Sequence, residues 1–325
     1  MMEKPYKRLK MEELQKSDRK KFIKQTLYLV GFGALANSPV KVLARAEPKK
    51  LSILHTNDWH SRIEPFPLLD KKLGGKGGAA ARATFIKNFR KEKGEILLLD
   101  AGDIFQGTPY FNFFGGELEY KLMSEMGYDC VTLGNHDFDA GIDGLLKQMP
   151  HAHFDMVNAN YDFSKTALQG KVKPFQVYKK QGLKIGVFGL GIALAGLVPE
   201  KLFGNIIYHD PIVVANKIAE DLKFKHRCDL VVCLSHLGYK YANNKVSDEV
   251  LATKTAHIDL IIGGHTHTFL PEPVSYTNVI NKKVCVNQVG WAGLQVGCIN
   301  YTFEPFVNTA NEPSSALIEL TNLDN

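Results

Sequence analysis

One arrangement recurs five times along this chain: a short apolar run followed at once by polar side chains able to hold a metal ion. Leu51 to Leu54 precedes Asp58 and His60, Ile96 to Leu99 precedes Asp103, and Cys130 to Leu133 precedes Asn135 and His136. Leu230 to Leu234 precedes His236, and Leu260 to Ile262 precedes His265 and His267. Short apolar runs that stop abruptly read as buried strands. Helical patterns lie between them, over Ala79 to Arg90, Glu117 to Met126, Pro211 to Phe224 and Ser247 to Ala256. Strands alternating with helices predict an α/β layered fold. Ligands in such folds bind beyond the carboxyl ends of the strands, so five polar exits from distant parts of the chain should converge on one composite site.

Two further segments read as antiparallel hairpins: Phe175 to Gly189, turning at Gln181-Gly182, and Val284 to Phe303, turning near Ala292-Gly293. The sheets should therefore be mixed. Neither a repeat nor a linker follows Ala46, which predicts one catalytic domain over 47–325 whose last twenty residues are less structured. Of the five cysteines, Cys130, Cys228 and Cys233 sit in or beside apolar runs, while Cys285 and Cys298 flank the second expected hairpin and could pair across it.

The donor set decides the chemistry. Asp58 and His60 are two apart, so on an extended strand exit they project to the same side and can reach one ion. His265 and His267 share that spacing after Gly263-Gly264, where missing side chains would let the backbone approach the ions. Asp, Asn and His without Cys suit zinc, manganese or iron, and do not suit copper(I) or an iron–sulfur cluster. Seven protein groups are too many for one ion that must also leave a position for substrate; they suit two divalent ions that share a carboxylate. With ions roughly 3.5–4 Å apart, a bridging water becomes hydroxide and both attacking and leaving oxygens are stabilised, which is the chemistry of phosphate-ester hydrolysis. His136, next to Asn135, would stand at the rim of such a site. Asp139, three residues on, could accept its imidazole N–H, giving a dyad able to stabilise or protonate a leaving group. An alternative takes the metals as structural, in a non-catalytic subunit, but His136 and Asp139 would then have no purpose.

Charge excludes one class of partner. The net charge is +6, yet Met1 to Ala46 holds eleven Lys/Arg and four Asp/Glu, leaving 29 basic and 30 acidic side chains for the rest. That body offers no electrostatic case for nucleic acid. The N-terminal 46 residues read as an export signal instead: basic residues up to Lys24, an apolar stretch from Thr26 to Ala36 too short to span a bilayer, then Leu43-Ala44-Arg45-Ala46 as an A-x-A cleavage site. Asp18-Arg19-Lys20-Lys21-Phe22-Ile23-Lys24 resembles a twin-arginine signal, with Lys20 in place of the second arginine. The expected location is periplasmic or cell-envelope, with no stable membrane insertion after signal removal.

Asp58-Trp59-His60, Gly102-Asp103, Gly134-Asn135-His136-Asp137, Ser235-His236 and Gly264-His265-Thr266-His267 resemble, in order and spacing, the calcineurin-like metallophosphoesterases. Two longer stretches, 101–109 and 126–139, are similar to the catalytic domain of the bacterial 5′-nucleotidase and UDP-sugar hydrolase family, and the likeness runs from about Leu51 to Phe303. The resemblance implies a four-layer αββα sandwich of two mixed β-sheets flanked by helices. It implies one ion held by Asp58, His60, Asp103 and His267 and another by Asp103, Asn135, His236 and His265, with Asp103 bridging and His136 and Asp139 as the catalytic dyad. It also implies hydrolysis of nucleoside 5′-monophosphates or related phosphate monoesters. Cleavage of phosphodiesters or pyrophosphates, as in cyclic nucleotides or nucleotide sugars, stays open because the metal site does not separate them. This sequence stops where full-length family members continue into a second domain that stacks the nucleobase on aromatics and grips phosphate with arginines. The expectation is a weak or altered nucleotide preference, a smaller ester as substrate, or a separate chain that supplies the second domain. Asp137 stands where the family commonly has glutamate, with little effect expected because that residue is not itself a ligand.

Overall fold

The computed structural model describes residues 47–243, 245–305 and 313–321. The export segment expected over 1–46 lies outside the described residues, and no helix among these is long and apolar enough to cross a membrane. In chain order the strands are β1 (Lys49–Thr56), β2 (Ile96–Asp100), β3 (Cys130–Val131), β4 (Asp155–Met156), β5 (Tyr161–Asp162), β6 (Phe175–Lys180) and β7 (Leu183–Gly191). They continue as β8 (Ile207–Tyr208), β9 (Leu230–His236), β10 (Leu260–Gly263), β11 (Val274–Thr277), β12 (Lys283–Asn287), β13 (Gln295–Phe303) and β14 (Ser314–Glu319). The α-helices are α1 (Ala79–Lys93), α2 (Pro109–Phe114), α3 (Glu117–Met126), α4 (Gly141–Gln148), α5 (Glu200–Phe203), α6 (Pro211–Glu220) and α7 (Asp248–Lys254).

All five apolar runs are strands, and they fall into two sheets of order β14-β13-β1-β2-β3-β4 and β11-β12-β10-β9-β7-β6. Strands β1 to β4 run parallel in the first sheet, and β7, β9, β10 and β12 in the second. Strands β13 and β6 join them antiparallel, so both sheets are mixed. The central strands β2, β9 and β10 are buried on both faces, as sheets covered on both sides require. Leu97, Leu99, Val232, Leu234 and Ile262 pack between the two sheets. Their neighbours Ile96 and Leu98 face outward onto Tyr120, Met123 and Ile86 of α3 and α1, while Val231, Cys233 and Ile261 meet Ala215, Ala219 and Leu251 of α6 and α7. Period-two alternation thus builds helix, sheet, sheet, helix, the expected four-layer sandwich. The small β5–β8 ribbon stands apart from both sheets.

Four expectations change in detail. The hairpin at Gln181-Gly182 is present, with both turn residues at positive φ (51° and 70°), as a two-residue connection between right-twisted strands demands. The second expected hairpin is not one. Strand β12 pairs with β10 and β11 in the second sheet, whereas β13 pairs with β1 and β14 in the first. Its turn at Ala292-Gly293 exists, but it carries the chain from one sheet to the other, because each strand buries both faces and takes a place in a different sheet. Cys285 on β12 and Cys298 on β13 are consequently in different sheets, and Cys298 is a free thiol beside Asn300. The C-terminal region, expected to be less structured, contributes β14, six residues paired to β13. Finally, the Pro211 to Phe224 helical pattern divides into α6 and a π-helical turn at Asp221–Lys225.

Candidate metal centre

The exits are built from backbone that ordinary residues avoid. Asp58, His60, Asp103, His265 and His267 have φ of 51°, 52°, 55°, 72° and 51°, as does Ser61 at 53°. A side-chain-bearing residue in that left-handed region is strained by roughly 1–2 kcal/mol and persists only where its surroundings hold it. Asp58 and His60 therefore do not share a direction through strand periodicity, as the sequence suggests; β1 ends at Thr56, and a left-handed turn brings both side chains round to one place. The first two exits are laced together, with Asp58 N–H donating to Gly102 O (2.9 Å) and His60 N–H to Asp103 O (3.1 Å).

Two groups of side chains result, each with its donor atoms within 4.8 Å of one another: Asp58, His60 and His267, and Asp103, His236 and His265. In the first, His60 Nε2 lies 2.9 Å from His267 Nε2, and Asp58 Oδ1 lies 3.5 Å from His267 Nε2 and 3.9 Å from His60 Nε2. In the second, His236 Nε2 is 2.9 Å from Asp103 Oδ2, and Asn135 joins with its Oδ1 2.9 Å from His265 Nδ1. The groups abut, since Asp58 Oδ1 is 4.0 Å from His236 Nε2. All seven residues expected to bind metal are thus brought together, and Asp58 as well as Asp103 stands at the junction.

These donors fit cations better than they fit each other. His236 Nε2 is buried and close to Asp103, yet it has no aligned hydrogen-bond partner. Its Nδ1–H donates to Ala101 O (2.7 Å), and His60 Nδ1–H donates to Gln106 O (3.0 Å), so both imidazoles turn Nε2 toward the cluster. Burial pulls His60 down and, with the neighbouring His236, takes His265 to about 4, which keeps both rings neutral at neutral pH. Burial alone would raise Asp103, but the imidazoles of His236, His60 and His136 outweigh it and hold the carboxyl well below its ordinary range. Neutral imidazoles and ionised carboxylates are the forms that ligate metal. Burial would also lower His236, yet Asp103 and Asp58 carry it up to about 10, which means that the pocket favours positive charge at Nε2.

His136 and Asp139 stand beside the two groups and belong to neither. His136 Nδ1–H donates to Asp139 Oδ2 at 2.7 Å, a bond that raises the imidazole pKa against the effect of burial. The His136 ring meets His60 edge-on at 5.2 Å, and its side chain is 37% exposed, so it borders the cluster and still faces solvent.

Sequence reasoning passes over several residues that shape the site. Asp137 is fully buried and collects four backbone N–H groups: Gly134 (2.8 Å), Ile104 (3.0 Å), Asp103 (3.1 Å) and Phe105 (3.4 Å). It ties the second exit to the third, a role hidden in sequence because three of its four donors come from a separate loop. Trp291 stacks on His267 with ring centres 5.5 Å apart and planes 7° from parallel; in sequence it stands only beside the Ala292-Gly293 turn, and nothing there marks it as a neighbour of His267. Of the paired glycines, Gly264 meets the expectation, since a Cβ there would lie 2.8 Å from His236 Nδ1 and 3.1 Å from Asp58 Oδ2. Gly263 instead makes room for Asp248, whose Oδ2 a Cβ would approach to 2.1 Å.

A family model described as calcineurin-like phosphoesterase matches residues 51–269, from β1 through the exit that carries His265 and His267. The chain belongs to that family. This phosphoesterase is 34% identical over 257 residues to the 5′-nucleotidase of Vibrio cholerae, a match that covers 76% of the chain and 44% of that protein. It is also similar in structure to the 5′-nucleotidase precursor of Thermus thermophilus (TM-score 0.74, 30% identity), over 84% of this chain and 55% of that one. Against the NAD nucleotidase of Haemophilus influenzae the TM-score is 0.73 at 29% identity, covering 85% of this chain and 57% of that one. The phosphoesterase spans about half the length of the curated relatives it matches.

Proposed function

We propose that this phosphoesterase hydrolyses phosphate monoesters, with nucleoside 5′-monophosphates as its substrate class. The observation that carries the proposal is the meeting of two His/Asp groups beside an independent His–Asp pair. Asp58, His60 and His267 would hold one divalent ion, and Asn135, His236 and His265 the other, with Asp103 shared. Divalent ions bound there would acidify water and neutralise charge on a phosphoryl group. The donor set favours zinc, manganese or iron.

The chain's own residues supply the rest. Asp139 accepts the His136 Nδ1–H and raises the imidazole pKa, so the ring can hold a second proton on Nε2 and, as the cation, donate it to the oxygen of the departing alcohol. Backbone N–H groups hold the carboxylates in place before substrate arrives: His265 N–H donates to Asp58 Oδ1 at 3.0 Å and His136 N–H to Asp103 Oδ1 at 2.7 Å. The names of the bacterial relatives support a nucleotide substrate. A second reading, hydrolysis of a nucleotide pyrophosphate bond, is favoured by the likeness to a protein named NAD nucleotidase. Export of the mature chain by the basic and apolar segment before Ala46 belongs to the same proposal, and N-terminal sequencing of the secreted protein tests it.

The test of the reaction is phosphate release from AMP and p-nitrophenyl phosphate, and release of AMP from NAD, by protein loaded with manganese or zinc. Metal-dependent turnover with AMP preferred is the expected result, and preference for NAD would move the assignment to the second reading. Two bound metals with no turnover of any ester would overturn the hydrolase.

A further inference from the structure

Asp58 and His60 point into the metal centre, and the residue between them lies in the core. Trp59 is 1% exposed and belongs to the apolar cluster between the first sheet and its covering helices. Over its ring, 3.9 Å from the centre, lies the guanidinium of Arg82 from α1. Arg82 is 0% exposed, and among the described residues no carboxylate lies within ion-pair distance of it. Its Nη1 makes one long contact with the Tyr128 hydroxyl (3.5 Å), and its Nε and Nη2 have no partner. Burying a charge in this way is costly, and a methionine would fill similar space without the cost. What an arginine adds is a planar cation that can stack on an indole.

The indole in turn holds the backbone. Trp59 Nε1–H donates to Arg62 O at 2.7 Å and closes the turn in which Asp58, His60 and Ser61 are all left-handed. Three such residues within four relax unless something fixes them. We propose that Arg82 is a positioning residue: stacked on Trp59, it clamps the Asp58–Ser61 turn so that Asp58 and His60 are aimed at one divalent cation before it arrives. The proposal rests on reading Asp58, His60 and His267 as a metal site. A competing role is purely structural, because burial pushes the Asp100 carboxyl up to about 6 and the Arg82 charge is one of the groups that oppose this rise.

Calorimetric titration of the full metal-free chain with manganese(II) separates these roles, with His267→Ala and Asn135→Ala assigning the two binding steps and thermal melting of the metal-free protein reporting folding. Arg82→Met removes the charge, and Arg82→Lys keeps it while losing the planar stack. Both should weaken the Asp58/His60/His267 step by about 10- to 100-fold, as loss of groups that orient ligands does, and leave the other step unchanged. Equal weakening of both steps, unchanged affinities in folded Arg82→Met, or full rescue by lysine would each overturn the clamp. Should the Arg82 variants not fold, Trp59→Phe, which keeps a ring and loses the donor to Arg62, decides: an unaltered first step rejects the proposal and a selectively weakened one supports it. Failure of the wild-type chain to bind two ions would instead strike the metal-site reading itself.

Discussion

Between the two sheets, Leu97, Leu99, Leu230, Val232 and Ile262 are fully buried in regular strand backbone. At or just past the ends of β1, β2 and β9, nearly equal burial is imposed on Asp58, Asp103 and His236. In the strand bodies burial and backbone agree: an apolar side chain removed from water contributes about 1.5–3 kcal/mol, and the ladder satisfies every amide. At the exits they conflict, because charged groups are desolvated and five of the seven converging residues are left-handed. The contrast teaches a division of labour. The bodies generate the stability that allows the exits to stay strained and charged, and the exits do the chemistry.

If that division is right, an exit substitution should remove activity and spare the fold. Asp103→Asn is the sharpest case, since it keeps the shape and the acceptor for His136 N–H while removing the charge between the two groups. The expected loss in kcat is about 10³-fold or more, several kcal/mol of transition-state stabilisation. The melting temperature should hardly move. A large drop in melting temperature with activity retained per folded molecule would invert the comparison.

The converse substitution lies in a strand body. Leu97→Ala should lower unfolding free energy by about 2–5 kcal/mol in denaturant titration, with kcat of the folded fraction unchanged. Loss of turnover without loss of stability would mean that the bodies take part in the chemistry.

His136→Ala tests whether the exits themselves are divided. His136 lies outside both donor groups, so two metals should still bind while kcat falls by about 10²-fold, the scale of one general acid. Weaker metal binding in this variant would place His136 among the ligands.

The same contrast explains what the sequence reveals. Strand bodies are legible because burial on both faces leaves unbroken apolar runs such as Ile96 to Leu99, and exits are legible because polar residues end those runs abruptly. What stays hidden depends on groups that meet only after folding. Asp137 gathers N–H donors from residues 103–105 and from 134, and nothing around it in sequence signals that hub. Arg82 sits in an ordinary basic helix, and its burial against Trp59 follows from how α1 crosses the sheet. Strand β14 escapes because only its pairing partner, β13, makes it a strand; none of its six residues is buried, four being exposed and two half-buried at the sheet edge. The mistaken hairpin has the same origin. Two apolar strands around a turn suggest local pairing, and only the competition among sheets sends them apart.

The smallest expected effect concerns a group on the border between body and exit. Asp248 opens α7 fully buried; its Oδ1 accepts the Ser235 hydroxyl, its Oδ2 has no partner, and burial pushes the carboxyl up to about 8. An unfolded aspartate titrates near about 3.9, so between those values the folded chain binds a proton that the unfolded chain has lost. Stability from this group is therefore fully present below about pH 4 and is lost as pH rises through about 8. Asp248→Asn keeps an acceptor for Ser235 and cannot ionise. In thermal melts of the metal-free proteins, the two curves should lie closest at pH 5 and separate by a few degrees toward pH 8, with the asparagine variant the more stable. Because the exit histidines are common to both proteins, the difference isolates this one carboxyl. Parallel curves would mean that it ionises freely at neutral pH, and the boundary between apolar body and charged exit would then have to be drawn one helix further out.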